Sequence, residues 1–195
     1  TKNAKPLIAG RCINKYKIIF ENRYVIFDEK DVSNFKTKHI YESEKILVRR
    51  IGTEIIATFD DQKYYNVCDV YNLLSKNINL KYILGFLNSK LMSFYLQTQF
   101  KNAKKLFPKI PIAYLKQLPI IVLDTKNKND KNLYDKIILH VETLLELEKR
   151  LLNTKTDSEK RSLNDRIFRN KEELDNLIFD LYALTDEEIK IILGE

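Results

Sequence analysis

Two adjacent arginines close the apolar run "KILVRR" at residues 45–50, where a buried strand should be finishing. Each guanidinium is a planar fork that can grip guanine O6 and N7 in the major groove, at about 1–3 kcal/mol of discrimination per good pair, or clamp a phosphate. Neighbouring side chains on a strand point to opposite faces. Arg50 therefore shares a face with Ile46 and Val48, and Arg49 with Leu47 and Ile51. One arginine per face leaves room for two jobs: one fork turned to a polyanion, the other in an ion pair with Glu54 or Asp60. Both could equally be solvated charges that deter strand addition at an edge. A second cluster, "QTQFKNAKKLF" at residues 97–107, combines Lys101, Lys104 and Lys105 with the amides of Gln97, Gln99 and Asn102. Lysines there suit phosphate contact and amides suit adenine reading. The competing reading is a helix end whose lysines offset the negative end of the helix dipole. Lys63, in the triplet "DQK" at 61–63, completes the candidate nucleic-acid contacts, whereas Tyr64 and Tyr65 read as packing residues.

The distribution of charge sets the same contrast. Residues 1–122 hold 21 Lys and Arg against 10 Asp and Glu, net +11, whereas residues 123–195 hold 13 against 17, net −4. Such asymmetry is expected when one part of a chain meets a polyanion and the other does not; a solvated lysine surface would give the same count. Cys12 and Cys68, with no Cys-x-x-Cys and only His39 and His140 as further soft ligands, argue against a zinc site or a disulfide framework and for free thiols in a cytoplasmic protein. The longest apolar run, residues 118–123, is far too short to cross a bilayer, so no membrane partner is expected. No signal peptide opens the chain, and its first residue is Thr rather than Met, which suggests a piece of a longer protein. The triplets "DQK" and "EIK" (188–190) match a nuclease metal site only in fragments, as chance predicts for a chain with 31% charged residues. No catalytic residue or metal ligand is assigned.

These side chains need a scaffold, and the hydrophobic pattern describes one of the α+β class. "YKIIFE", "RYVIFD", "EKILVRR" and "TEIIATFD" are strand-like runs separated by polar turns, with Gly52 and Thr53 as a tight turn and a meander as the simplest arrangement. "NINLKYILGFLNSKLMSFYLQ" then changes period: Leu80, Ile83, Leu84, Leu87, Leu91, Phe94 and Tyr95 follow helical spacing after the N-cap candidate Asn79. Gly85 inside that helix marks a close approach, expected to be to the sheet. The Pro-containing stretch up to residue 123 suits strand edges and turns. Beyond the polar linker "TKNKND", two apolar stripes (Leu133, Ile137, Val141, Leu144, Leu151; Leu163, Ile167, Leu174, Ile178, Leu181) predict an antiparallel helical hairpin over 131–182. Asn170 is a polar seam residue, Thr156 and Glu159 form a capping-box pattern, and "TDEE" at 185–188 caps a last short helix closed by Gly194. The expected division is a basic, mixed or antiparallel-sheet domain over 1–124 with one packed helix, and a helical unit over 131–195.

Four stretches, in order "KILVRRIGTEIIATFDDQKYY", "LKYILGFLNSKLMSFYL", "FPKIPIAYLKQLPI" and "LDNLIFDLYALTDEEIKII", resemble the TaqI-like C-terminal specificity domain. "AKPLIAGRCINKYKI" is similar to the segment that leads into such domains, and "ILGFLNSKL" followed by "LKQLPI" is the most specific part. The resemblance covers nearly the whole chain. It implies a target-recognition domain of type IIG restriction-modification enzymes or N6-adenine DNA methyltransferases, related to the recognition domains of type I specificity subunits. It further implies double-stranded DNA as a partner, helices that space the reader against a methyltransferase domain or subunit, and S-adenosylmethionine bound in that methyltransferase. The Gly-containing cofactor loop and the Asn/Asp-Pro-Pro-Tyr/Phe motif of such methyltransferases are missing: there are four glycines and no Pro-Pro. No cofactor is therefore expected in this chain, and methylation or cleavage would belong to the rest of the parent. Two other classes stay open, a protein-interaction adapter built on the helical hairpin, and an enzyme, which would need a deep pocket with convergent carboxylates.

Overall fold

The computed structural model describes residues 4–28, 36–99 and 109–195. Among these residues, eight strands are arranged in three small sheets: β1 (Ala4–Ile8), β2 (Ile13–Asn14), β3 (Lys17–Ile18), β4 (Tyr24–Ile26), β5 (Lys45–Arg49), β6 (Ala57–Asp60), β7 (Tyr65–Asn66) and β8 (Val70–Leu73). The helices are α1 (Lys38–Glu42), α2 (Leu80–Asn88), α3 (Lys90–Gln99), α4 (Ile112–Leu115), α5 (Lys128–Asn153), α6 (Asp157–Leu181) and α7 (Asp186–Leu193). The fold is α+β, as its sequence pattern predicts, but the strands do not form a meander. β4 pairs with β1 rather than with its neighbour in sequence, and β1 also takes β7 in parallel. The run "AKPLI" conceals this strand because proline cannot donate to a ladder. Pro6 faces Tyr24 of β4, while β7 joins only at Leu7 and Ile8, so no bond from Pro6 is needed on that side.

β5 is the centre of the sheet β6-β5-β8, antiparallel to both neighbours. Its alternation is as expected. Ile46 and Val48 enter the large core with Ile55, Ala57 and α2, whereas Leu47 enters a smaller core with Ile8, Cys12, Ile13 and Val70. At its start Lys45 lies directly opposite Asp60, and the two fully buried side chains form an ion pair at 2.5 Å. Burial raises the Asp60 carboxyl above its usual range, although Lys45 and the amides of Gln62 and Tyr64 all donate to it.

The apolar stripe read as one helix is two. Ser89 breaks it in an extended conformation (ψ 155°), its hydroxyl donating to Phe86 O and accepting from Met92 N. Next to the break, the buried Asn88 amide bonds both the N–H and the carbonyl of Ala57, each at 2.9 Å, which fixes the turn to β6. Asn79 caps α2 by accepting from Lys81 N. Gly85 does mark a close approach, but to the helical hairpin and not to the sheet. A Cβ there would lie 3.1 Å from Ile137 and 3.2 Å from Val141.

α5 and α6 form the antiparallel hairpin, with Ile137, Val141 and Leu144 buried against Leu163, Ile167, Leu174 and Ile178 in the same core that holds β5 and α2. In the seam, Asn170 meets His140 Nδ1 at 3.2 Å. α5 begins inside the stretch read as linker because Asn127 accepts from the N–H groups of Asn129 and Asp130. Thr156 precedes α6 without a side-chain cap, so the pattern Thr156–Glu159 does not form a capping box; Glu159 turns to Arg150 instead, 3.8 Å away. The box at Thr185–Glu188 is present, and Gly194 closes α7 in the left-handed region at φ 77°. Replacing Gly85 by Val should therefore destabilise the fold by about 1–3 kcal/mol, because the hairpin must move to admit the side chain. Urea unfolding measures this, and an unchanged midpoint would contradict the tight seat of α2 on α5.

Candidate nucleic-acid interface

Where β5 ends, the backbone of Arg50 is held from both sides: its N–H donates to Asp69 O at 2.9 Å, and its carbonyl accepts from Ile110 N at 2.8 Å. Ile51 bridges Lys109 in the same antiparallel sense. The chain returns to β6 through residues 50–56, with Arg49 N donating to Ile56 O at 2.9 Å, so the connection is a loop and not a tight turn at Gly52–Thr53. Residues Thr53 and Glu54 do not continue a strand, which begins only at Ala57.

Both arginines are half-buried, but the loops treat them differently. Arg50 lies in a cradle made by the turn between β7 and β8. Its Nη1 donates to Cys68 O at 3.1 Å, and its guanidinium sits 5.7 Å from the centre of the Tyr71 ring. The Tyr71 hydroxyl in turn donates to Ile110 O at 2.9 Å. Gly10 brings a further loop onto this turn, donating its N–H to Asp69 Oδ2 at 2.9 Å; a Cβ on residue 10 would lie only 3.0 Å from that oxygen. Arg50 Nε and Asp69 Oδ1 remain buried without a hydrogen-bond partner. The Arg49 guanidinium makes no hydrogen bond or ion pair with any described residue, so its fork is uncommitted.

The ion pair expected between an arginine and Glu54 or Asp60 is absent. Register explains it: Asp60 faces Lys45 at the far end of β5, and the 50–56 loop carries Glu54 to Lys15, 2.8 Å away. The same register separates Lys63 from the arginines. It follows Asp60, exposed and with φ 60°, beyond the Lys45 end of a strand that rises about 3.3 Å per residue. Gln97 is exposed on α3 in a shallow cleft shared with Lys15, Glu54 and Lys90, and thus close to the loop that leaves Arg50. Gln99 ends α3. Its side chain, and Lys101, Asn102, Lys104 and Lys105, lie outside the described residues. Tyr65 is buried and stacked on Tyr41 at 4.4 Å, and Tyr64 packs on Phe20 at 5.2 Å, the packing roles read from sequence. The cradle residues Cys68, Asp69 and Tyr71 were not legible from their spacing, since the turn meets β5 only through long-range pairing.

No cluster of metal-binding side chains occurs among the described residues, and no described helix is long and apolar enough to cross a membrane. Both cysteines are free, Cys12 buried and Cys68 exposed. The site is a pair of cations at one end of β5, Arg49 its last residue and Arg50 the next, an arrangement suited to holding an anion.

That class agrees with the comparisons to known proteins. Residues 5–120, more than half of the chain, match the TaqI-like C-terminal specificity domain, and the chain belongs to that family. Among solved structures it is similar to the type IIL restriction-modification enzyme MmeI in complex with DNA, with a TM-score of 0.65 and 12% identity over 98% of this chain. At that identity the likeness is one of fold, and this chain spans 30% of the length of that enzyme. No curated protein matches the sequence.

The unequal settings of the two arginines have a consequence for stability. Arg50→Lys loses the Cys68 bond and most of the ring contact, and should cost about 1 kcal/mol, whereas Arg49→Lys should stay within about 0.5 kcal/mol of the unchanged protein. Chemical denaturation of both variants checks this; equal losses would contradict the assignment of the cradle to Arg50.

Proposed function

We propose that this chain is the DNA-reading part of a restriction-modification enzyme, and that it directs an N6-adenine methyltransferase carried elsewhere in the parent protein. The observation that carries the reading is the uncommitted fork of Arg49 at the end of a strand whose other four residues are buried, in a chain of the specificity-domain family. A fork is useful for reading bases only when its base is fixed, because a misplaced guanidinium loses the bidentate geometry. β5 supplies that rigidity, and Arg50, bound to its cradle, holds the frame. The similarity to an enzyme solved with DNA supports the same reading.

In this account Arg49 reads a base, Arg50 positions the strand end, and Gln97, Gln99, Lys101, Asn102, Lys104 and Lys105 flank them as further DNA contacts. Lys63 is set apart, and serves at most a distant phosphate. S-adenosylmethionine and the methyl transfer belong to another part of the parent, of the type IIG kind or a solitary methyltransferase, acting on cytoplasmic DNA. The α5–α6 hairpin sets the distance between reader and methyltransferase.

Binding of duplex DNA, followed by fluorescence anisotropy over a salt series, should give log affinity falling linearly with log salt, with a slope of about 0.9 per phosphate neutralised. In the parent enzyme, Arg49→Lys should keep nonspecific affinity and relax the preference at one base position by about 1–3 kcal/mol. Unchanged preference in both Arg49→Lys and Arg50→Lys would contradict base reading by this strand end.

A further inference from the structure

Along the outer edge of β8 runs a cleft of about 350 Å³ whose lining includes Lys36, Asn66, Val67, Cys68, Val70 and Tyr71. Cys68 and Tyr71 are the residues that hold Arg50, so the cleft adjoins the arginine cradle. Lys36 stands in it with its stem folded inward. Its ammonium donates to Asn66 Oδ1 and to Val70 O, both at 3.0 Å. An ammonium has three protons; the third has no acceptor among the described residues, and the ammonium also lies 5.9 Å from the centre of the Tyr41 ring, which lines the same cleft.

The partners of Lys36 are neutral, and this is the unusual feature. Buried or half-buried charges in proteins are normally paired. Lys45, on the next strand, is paired with Asp60 in the expected way. Lys36 has no carboxylate within ion-pair distance among the described residues, and burial pushes its ammonium below the usual lysine value. Asp69, whose negative charge acts on it, has one oxygen committed to the Gly10 amide. Among the described residues, the cleft has no acidic lining. Four other clefts on the molecule each include at least one carboxylate: Glu142, Glu54, Glu159 and Glu44 respectively. A desolvated cation with a spare donor, an aromatic ring and two valines suit a ligand that brings an acceptor oxygen on a largely apolar body.

We infer that this cleft is a second contact point for DNA, at which the spare Lys36 proton is donated to an acceptor oxygen of a nucleotide beside the one met at the arginine end of β5. The inference rests on the DNA-reading role proposed above. It deepens that role by adding a residue that neither composition nor spacing singled out, since Lys36 lies in a plain "NFKTKHI" stretch. The oxygen can belong to a base edge or to a backbone phosphate, and the two differ in their salt dependence.

The test uses the full chain with duplex DNA and compares the unchanged protein with Lys36→Met, which removes the charge and keeps the stem. Affinity of the variant should fall roughly ten-fold, the worth of one charge-assisted hydrogen bond. A salt slope reduced by about 0.9 identifies a phosphate; an unchanged slope with preference lost at one base identifies a base edge. Both results support the site. A second measurement needs no substitution: Cys68 lines the same cleft and is exposed while Cys12 is buried, so DNA should slow alkylation of Cys68 several-fold. Should the unchanged protein bind DNA while Lys36→Met keeps its affinity, slope and preference, or while Cys68 is alkylated at the same rate with and without DNA, the cleft is not a DNA contact and the wider reading survives. Should the unchanged protein bind no DNA, both fall together.

Discussion

The fold depends on burying β5 from both sides while its last residue, Arg49, and the next one, Arg50, carry positive charge. Ile46 and Val48 need one core, Leu47 needs another, and the strand obtains both because helices cover one face and the small β1-centred layer covers the other. The ends are then treated in opposite ways. At the start, Lys45 is neutralised by the buried Asp60 and is structurally closed. At the finish, the backbone of Arg50 is tied to Asp69 and Ile110, but neither arginine has a carboxylate partner among the described residues. A strand so fixed, with its cations unneutralised at one end only, is an aimed electrostatic feature. Burial of apolar surface, worth about 25 cal/mol per Å², supplies the stability that tolerates it.

The helical hairpin is joined to this strand region by more than apolar packing. Glu148 of α5, 4% exposed, takes Lys17 of β3 at 2.7 Å and Lys171 of α6 at 3.2 Å, and the Lys171 ammonium also lies 5.8 Å from the ring centre of the buried Tyr16. Asp175 of α6 accepts from Lys90 N at 2.9 Å, at the start of α3. Tyr134 stacks on Tyr82 at 4.4 Å and its hydroxyl accepts from Asn79 N. A carboxylate buried between two lysines is costly to uncouple, because removing either partner leaves charge behind. The hairpin therefore has a set orientation to the strand region, which is the property a spacer between two functional parts requires.

Much of this was legible from sequence because local periodicity decides it. The two faces of β5, the cap at Asn79, the hairpin stripes and the helix start at Thr185 all follow from residues within a turn or two of one another. The features that were not legible depend on distant partners. Beside the break at Ser89, Asn88 reaches across to Ala57, a contact 31 residues away. Gly85 faces Ile137 instead of the sheet because α5 occupies that side. Lys45, read only as the start of a strand, takes the Asp60 expected to pair with an arginine, because register places them opposite one another. The arginine pair was visible as a chemical possibility; its cradle at Cys68, Asp69 and Tyr71 appears only when β8 is laid against β5.

The central claim is that the Arg49–Arg50 end of β5 faces the bases of a DNA duplex. A crystal structure of the parent protein bound to its recognition duplex tests it most directly. The account predicts the Arg49 guanidinium within about 3 Å of base-edge acceptors in the major groove, with Arg50 still on Cys68 O and the Tyr71 ring. A duplex lying instead along the α5–α6 hairpin, with the end of β5 open to solvent, would contradict it.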